Sequence, residues 1–159
     1  MKAFLPFRSS LVVHLVAAAA IFFTMACAAA CAALASETRV TMKQLPKAVQ
    51  KTVVEQTKGA TVRGLSKEIE HGKTVYEVEM TLDGRGKDVS MDARGNILEV
   101  EQEVDIASLP ETLRSGLQQK AGAGKITKVE SITEGGKLVK YEAQVLTGKK
   151  RSEVHVAAN

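Results

Sequence analysis

The sequence predicts an α+β fold in which two repeats, αββββ and then αβββ, share an antiparallel sheet and lay both helices on one face of it. Three observations carry this expectation. Leu45-Pro46 and Leu109-Pro110 each open a stretch with apolar residues at helical spacing. The run "VYEVEMTL" alternates strictly between apolar and polar residues, the signature of a half-buried strand. Finally, the order of events recurs: "LPKAVQKTVVEQ", "GATVRGLSKEIE" and "GKTVYEV" are matched, about 64 residues on, by "LPETLRSGLQQK", "AGKITKVESITE" and "GKLVKYEA".

Each repeat opens with a helix. Leu45, Val49 and Val53 form an i, i+4, i+8 stripe in the first, and Leu109, Leu113 and Leu117 repeat it in the second. Pro110 suits a first turn, where its missing N–H costs nothing, and Ser108 with Glu111 reads as a capping box. Gly59 and Gly122 are natural stops. Strands over 61–69 and 125–132 follow, with Gly64 placed for a bulge. In the next strand Tyr76, Val78, Met80 and Leu82 share the inner face, matched by Tyr141, Ala143 and Val145, while Glu77, Glu79, Glu142 and Gln144 point outward. "DGRG" and "TGKK" read as hairpin turns, and "KDVSM" and "RSEVHV" as third strands. The first repeat turns again at "DARGN" into a fourth strand, 97–104, which the second repeat lacks. The expected units are therefore 36–104 and 105–159.

Residues 1–35 differ in kind. Lys2 and Arg8 precede a run without an acid from Leu11 to Ala35, and Ala33-Leu34-Ala35 supplies a small-x-small site, so a secretory signal cleaved between Ala35 and Ser36 is expected. The competing reading is an uncleaved anchor. Both cysteines, Cys27 and Cys31, lie in this leader, and Thr24 and Ala28 stand where a lipoprotein signal needs a large aliphatic residue. A periplasmic or secreted chain without thiols follows, which excludes disulfides, thiolate metal sites and cysteine nucleophiles. The leader takes two bases and no acid from the 22 Lys and Arg, leaving 20 against 18 acids. That balance gives no basic footprint for nucleic acid. A mature form that does not span the membrane is expected.

The Leu-Pro helix, "GKTVYEVEM" and "VSMDARGNILEVEQEV" together resemble the PepSY domain, and their tandem arrangement is similar to PepSY-like, beta-lactamase-inhibitor-like exported bacterial proteins. The resemblance spans Gln44 to Val156. It implies one helix on an antiparallel sheet per unit, an extracytoplasmic location and a binding or inhibitory role, with the open sheet face as the gripping surface. The Asp92–Leu98 hairpin element occurs only once, a departure from a perfect duplication.

The outward positions of the first repeat, Glu77, Glu79, Asp88, Glu99, Glu101 and Glu103, are all acidic, whereas Lys43, Lys47, Lys51 and Lys58 lie on the helix or its approaches. This set is the candidate docking face for a basic protein or peptide of the cell envelope. The plainer reading is a solvated sheet face relieved by Lys67 and Lys73 from neighbouring strands. The alternative function is a ligand or divalent-ion sensor module. "DGRGKDVSMDARGN" does not have EF-hand spacing, and its aspartates suit turns. "AGAGK" lacks the Gly and Ser/Thr of a phosphate loop, since Gln119 and Ile126 stand there. His71 and His155 match no metal-ligand spacing, and no nucleophile elbow occurs. Carboxylates on a flat sheet are expected to lack the cleft that would raise a pKa, so no catalytic residue, cofactor or metal is assigned and the chain reads as a non-enzyme. A further role, edge pairing by the terminal strand at Val154–Val156, follows from its last place in the order.

Overall fold

The computed structural model describes residues 37–159; the proposed leader and the Ala35–Ser36 cleavage site lie outside the described residues. The order of elements is β1 (Thr38–Arg39), a 3-10 turn (Met42–Gln44), α1 (Lys47–Gln56), β2 (Thr61–Glu70), β3 (Lys73–Leu82), β4 (Arg85–Asp92) and β5 (Ile97–Glu103). A second 3-10 turn (Ile106–Ser108), α2 (Glu111–Ala121), β6 (Lys125–Glu134), β7 (Lys137–Thr147) and β8 (Lys150–Ala157) complete it. The eight strands form one antiparallel sheet in sequence order, so every strand pairs with its neighbours in the chain. The expected α+β architecture of αββββ followed by αβββ is observed, with the short β1 added at the edge.

Both helices cover the same face. Val49 and Val53 of α1 and the preceding Leu45 pack on Val78, Met80, Val89 and Met91. Leu117 of α2 and the preceding Leu109 pack on Val129 and Ala143, with Tyr141, Val154 and Val156 at the border. The register carries this face across the repeat boundary: Val89 lies opposite Val100, and the Val104 N–H donates to the Val129 carbonyl at 2.9 Å. Small aliphatic residues suffice because each helix presents only a narrow stripe.

Two details depart from the sequence reading. Ser108 does not cap α2: its hydroxyl donates to the Asp105 carbonyl at 2.6 Å, closing the 3-10 turn, while Glu111 bonds Arg114 and Ser115. Pro110 itself occupies the N-cap position, and its backbone cannot supply the geometry a capping box needs. Second, β5 pairs with β4 through a bulge between Ser90 and Met91, and the turn at Gly95 lies against Ala48 and Thr52 of α1. There the Thr52 hydroxyl donates to the Gly95 carbonyl at 2.8 Å. Thr52→Val, which keeps the shape and removes the donor, is expected to cost about 1 kcal/mol in urea denaturation. An unchanged midpoint would show the bond to be energetically idle.

Candidate acidic sheet face

The face away from the helices gathers carboxylates strand by strand. On β3 and β4, Glu79 lies opposite Asp88 and Glu77 opposite Ser90; on β5, Glu101 lies opposite Asp88 and Glu99 opposite Ser90. Glu103 accepts from the Gly86 backbone N–H at 2.9 Å. All six residues singled out from the sequence therefore share one face. The second repeat extends it: Glu134 pairs with Glu99, Glu130 with Glu103, and Glu142 with Glu130. The oxygens of Asp88, Glu101 and Glu130 lie within 4.8 Å of one another, which is the arrangement by which a divalent cation could be held.

The cations that offset this density are not the expected ones. Lys67 lies opposite Tyr76, a border residue of the helix-side core, and Lys73 sits at the hairpin end opposite Glu70. Instead, Arg39 reaches over Gly64 to Glu79 at 3.1 Å, and Arg63 meets Asp88 at 2.9 Å. Lys128 holds Glu130 at 2.7 Å and Lys140 holds Glu142 at 3.1 Å. Gly64 is thus more than a bulge residue. An added Cβ would fall 1.6 Å from Arg39 Nη1, so glycine leaves the passage that the guanidinium uses.

The pairing is incomplete, and the proton affinities record it. Glu77 is pushed up to about 7 by burial first, then by the charges of Asp88 and Glu79. Glu101 is also pushed up to about 7, by burial and then by Glu130, Glu99, Glu142 and Asp88. Asp88 is raised because burial outweighs the opposing Arg63 and Lys128, and burial raises Glu99 against Lys140. The expectation that a flat sheet leaves carboxylates at ordinary values is therefore overturned. Neighbouring side chains crowd the face enough to strip water, so that Glu130 is 4% exposed and Ile132, between Glu101 and Lys140 in register, is 1% exposed. Lys128 is raised despite its own burial, through Glu130, Asp88 and Glu101.

Two hollows flank the acidic centre. One, of about 240 Å³, is lined by Val75, Leu98, Ser90, Glu70, Glu99 and Glu134. The other, of about 640 Å³, includes Glu103, Thr127, Lys128, Gln144, Arg151 and Glu153. Of the aspartates in "DGRGKDVSMDARGN", Asp83 and Asp92 follow turn chemistry, but Asp88 does not: it lies within β4, opposite Glu79 and Glu101. Asp92 Oδ1 accepts from the Arg94 and Asn96 N–H groups and its Oδ2 from the Asn96 side chain, while Asp83 takes a positive φ of 51° in a hairpin. Among the described residues, no helix is long and apolar enough to cross a membrane.

The molecule so defined is a helix-on-sheet α+β protein in which, among the described residues, both helices lie on one face and leave the other, broad and polar, uncovered. Its sequence matches the PepSY-like, beta-lactamase-inhibitor-like family model over residues 33–98 and 74–157, and the chain belongs to that family. No curated protein matches it. In fold it is similar to a DUF2874 family protein from Bacteroides ovatus, with a TM-score of 0.54 and 16% identity, over 71% of this chain and 80% of that one. It is likewise similar to a BLIP-like protein from Bacteroides fragilis, with a TM-score of 0.51 and 21% identity, over 71% of this chain and 79% of that one.

Proposed function

We propose that this protein is an exported, non-enzymatic binding module whose acidic sheet face engages a basic segment of a protein or peptide in the periplasm or outside the cell. The observation that supports this most directly is the convergence of Glu77, Glu79, Asp88, Glu99, Glu101 and Glu103 with Glu130, Glu134 and Glu142 on the uncovered face. Half-buried, incompletely paired carboxylates oppose folding, and a cationic partner would relieve them. Membership of a beta-lactamase-inhibitor-like family supports a binding role, and the leader over residues 1–35, ending at Ala35–Ser36, supports export. In this reading the repeats, 36–104 and 105–159, contribute halves of one docking surface.

The test is crosslinking capture from the source cell's envelope, with the native chain beside a variant carrying Glu79→Lys, Glu99→Lys and Glu101→Lys. One dominant partner, retained at least tenfold less by the variant and released by moderate salt, is expected. Equal recovery by both would remove the acidic face from the function. A second reading, divalent-cation sensing, draws on the approach of Asp88, Glu101 and Glu130 oxygens. Lys128 already lies 2.7 Å from Glu130, so a cation would have to displace that ammonium. Titration with calcium that leaves the melting temperature unmoved would dispose of this reading.

A further inference from the structure

The two edges of the sheet are guarded unequally. At one edge β1 pairs with Ser66 and Lys67, and the Val40 N–H donates to the Leu65 carbonyl at 2.9 Å, so chain covers the middle of β2. At the other edge lies β8, eight residues long, with only β7 beside it among the described residues. Its register sets Ala157 opposite Lys140, and the Ala158 N–H donates to the Val139 carbonyl at 3.0 Å. Alternation of an antiparallel ladder then aims the backbone groups of the even-numbered residues at β7. Those of Arg151, Glu153, His155 and Ala157 aim away from the sheet.

That outward set is self-complementary. When a second β8 runs antiparallel to the first about a two-fold axis through Val154, Glu153 of each copy falls opposite His155 of the other, in a position where both pairs exchange backbone hydrogen bonds. Val154 meets its own counterpart on the helix side, at the closely spaced non-hydrogen-bonded position, and Ser152 meets Val156. Val154 and Val156 already border the core under α2, so the pairing would prolong that core across the seam. The like charges of Lys149, Lys150 and Arg151 do not collide, because the antiparallel sense sends each copy's basic turn to an opposite end. The even-numbered sum of the paired positions also keeps the helices of both copies on the same side.

We infer that β8 is a self-association edge, through which two copies of this chain join their sheets into one continuous antiparallel sheet. The inference is independent of the acidic-face reading. Each copy would offer its acidic face on the same side, giving a bivalent surface.

Sedimentation velocity over a concentration series, on the protein as its source cell processes it, tests this. A reversible dimer is expected. Glu153→Pro deletes only an N–H that points away from β7, so it should raise the dimer dissociation constant about tenfold or more while the far-UV circular dichroism is kept. A chain that stays monomeric up to about 1 mM, or a dimer indifferent to Glu153→Pro, would overturn the inference. If the proline variant melts early, a charge exchange decides instead. His155→Glu sets acids against each other and should weaken the dimer, and Glu153→His combined with His155→Glu should restore it. Failure of that rescue would also overturn the inference.

Discussion

Gly95→Ala is expected to destabilise the protein by about 3 kcal/mol or more, reckoned from a strained backbone and a clash with a helix. Gly95 takes φ +78°, a region that costs an L-residue roughly 1 to 2 kcal/mol. An added Cβ would also lie 2.7 Å from the Ala48 carbonyl oxygen and 2.8 Å from Thr52 Oγ1. Neither can retreat freely. Ala48 belongs to the backbone of α1 beside Val49, which is fully buried, so displacement would lift the helix from its core. Gly72→Ala provides the comparison: its φ is +77°, but a Cβ there meets nothing within 4 Å. It should show the conformational cost alone. Urea denaturation of both variants separates the terms, and equal losses would sink the idea that the turn is clamped beneath α1.

The protein should also grow more stable as pH falls from about 8 to about 5. Glu77 and Glu101 are both pushed up to about 7 in the folded state, above the ordinary value of 4.5 that an unfolded chain restores. Between those values the folded state binds more protons than the unfolded one, so unfolding free energy falls as pH rises. The stabilisation is complete below about 4.5 and is lost as pH climbs through 7. Because both groups remain partly solvated, screening reduces each contribution to about 1 to 2 kcal/mol, and together they shift the melting temperature on the order of 10 °C. Asp92 and Glu111, whose affinities are lowered by hydrogen bonds, act only in more acid solution. Glu77→Gln with Glu101→Gln should raise the melting temperature at pH 8, leave it nearly unchanged at pH 5 and flatten the profile between. A profile that rises with pH in the native protein would contradict the assignment.

How far the sequence reached depends on where alternation is unbroken. From Tyr76 to Leu82 apolar and polar residues alternate without a break, so the inner set Val78 and Met80 and the outer set Glu77 and Glu79 were readable without coordinates. The helical stripes at Val49, Val53 and Leu117 were equally legible, since spacing alone identifies a buried face. Bulges ended that reach. The irregularity between Val62 and Gly64 accompanies Arg63's approach to Asp88, and the one between Ile126 and Lys128 breaks parity ahead of Lys128 and Glu130. Glu130 and Glu134 of β6 therefore stayed hidden as members of the acidic face, as did its cations, whereas Glu142, on an alternating strand beyond the bulge, was legible as outward-facing. Raised proton affinities were hidden for another reason: they arise from crowding between strands far apart in sequence, as where Glu101 meets Glu130 and Glu142.

The strictly sequential strand order has a kinetic consequence. Every pairing among the described strands joins neighbours in strand order, so the entropic toll of closing long loops stays low for this sheet. The hydrophobic clusters divide along the chain in the same way: the first uses residues from Val40 to Val100, the second residues from Val104 to Val156. A chain emerging N-terminus first can therefore complete one core before the residues of the other have appeared. The edge of β5 is then available as a template for β6, an order of assembly that strand topology alone permits.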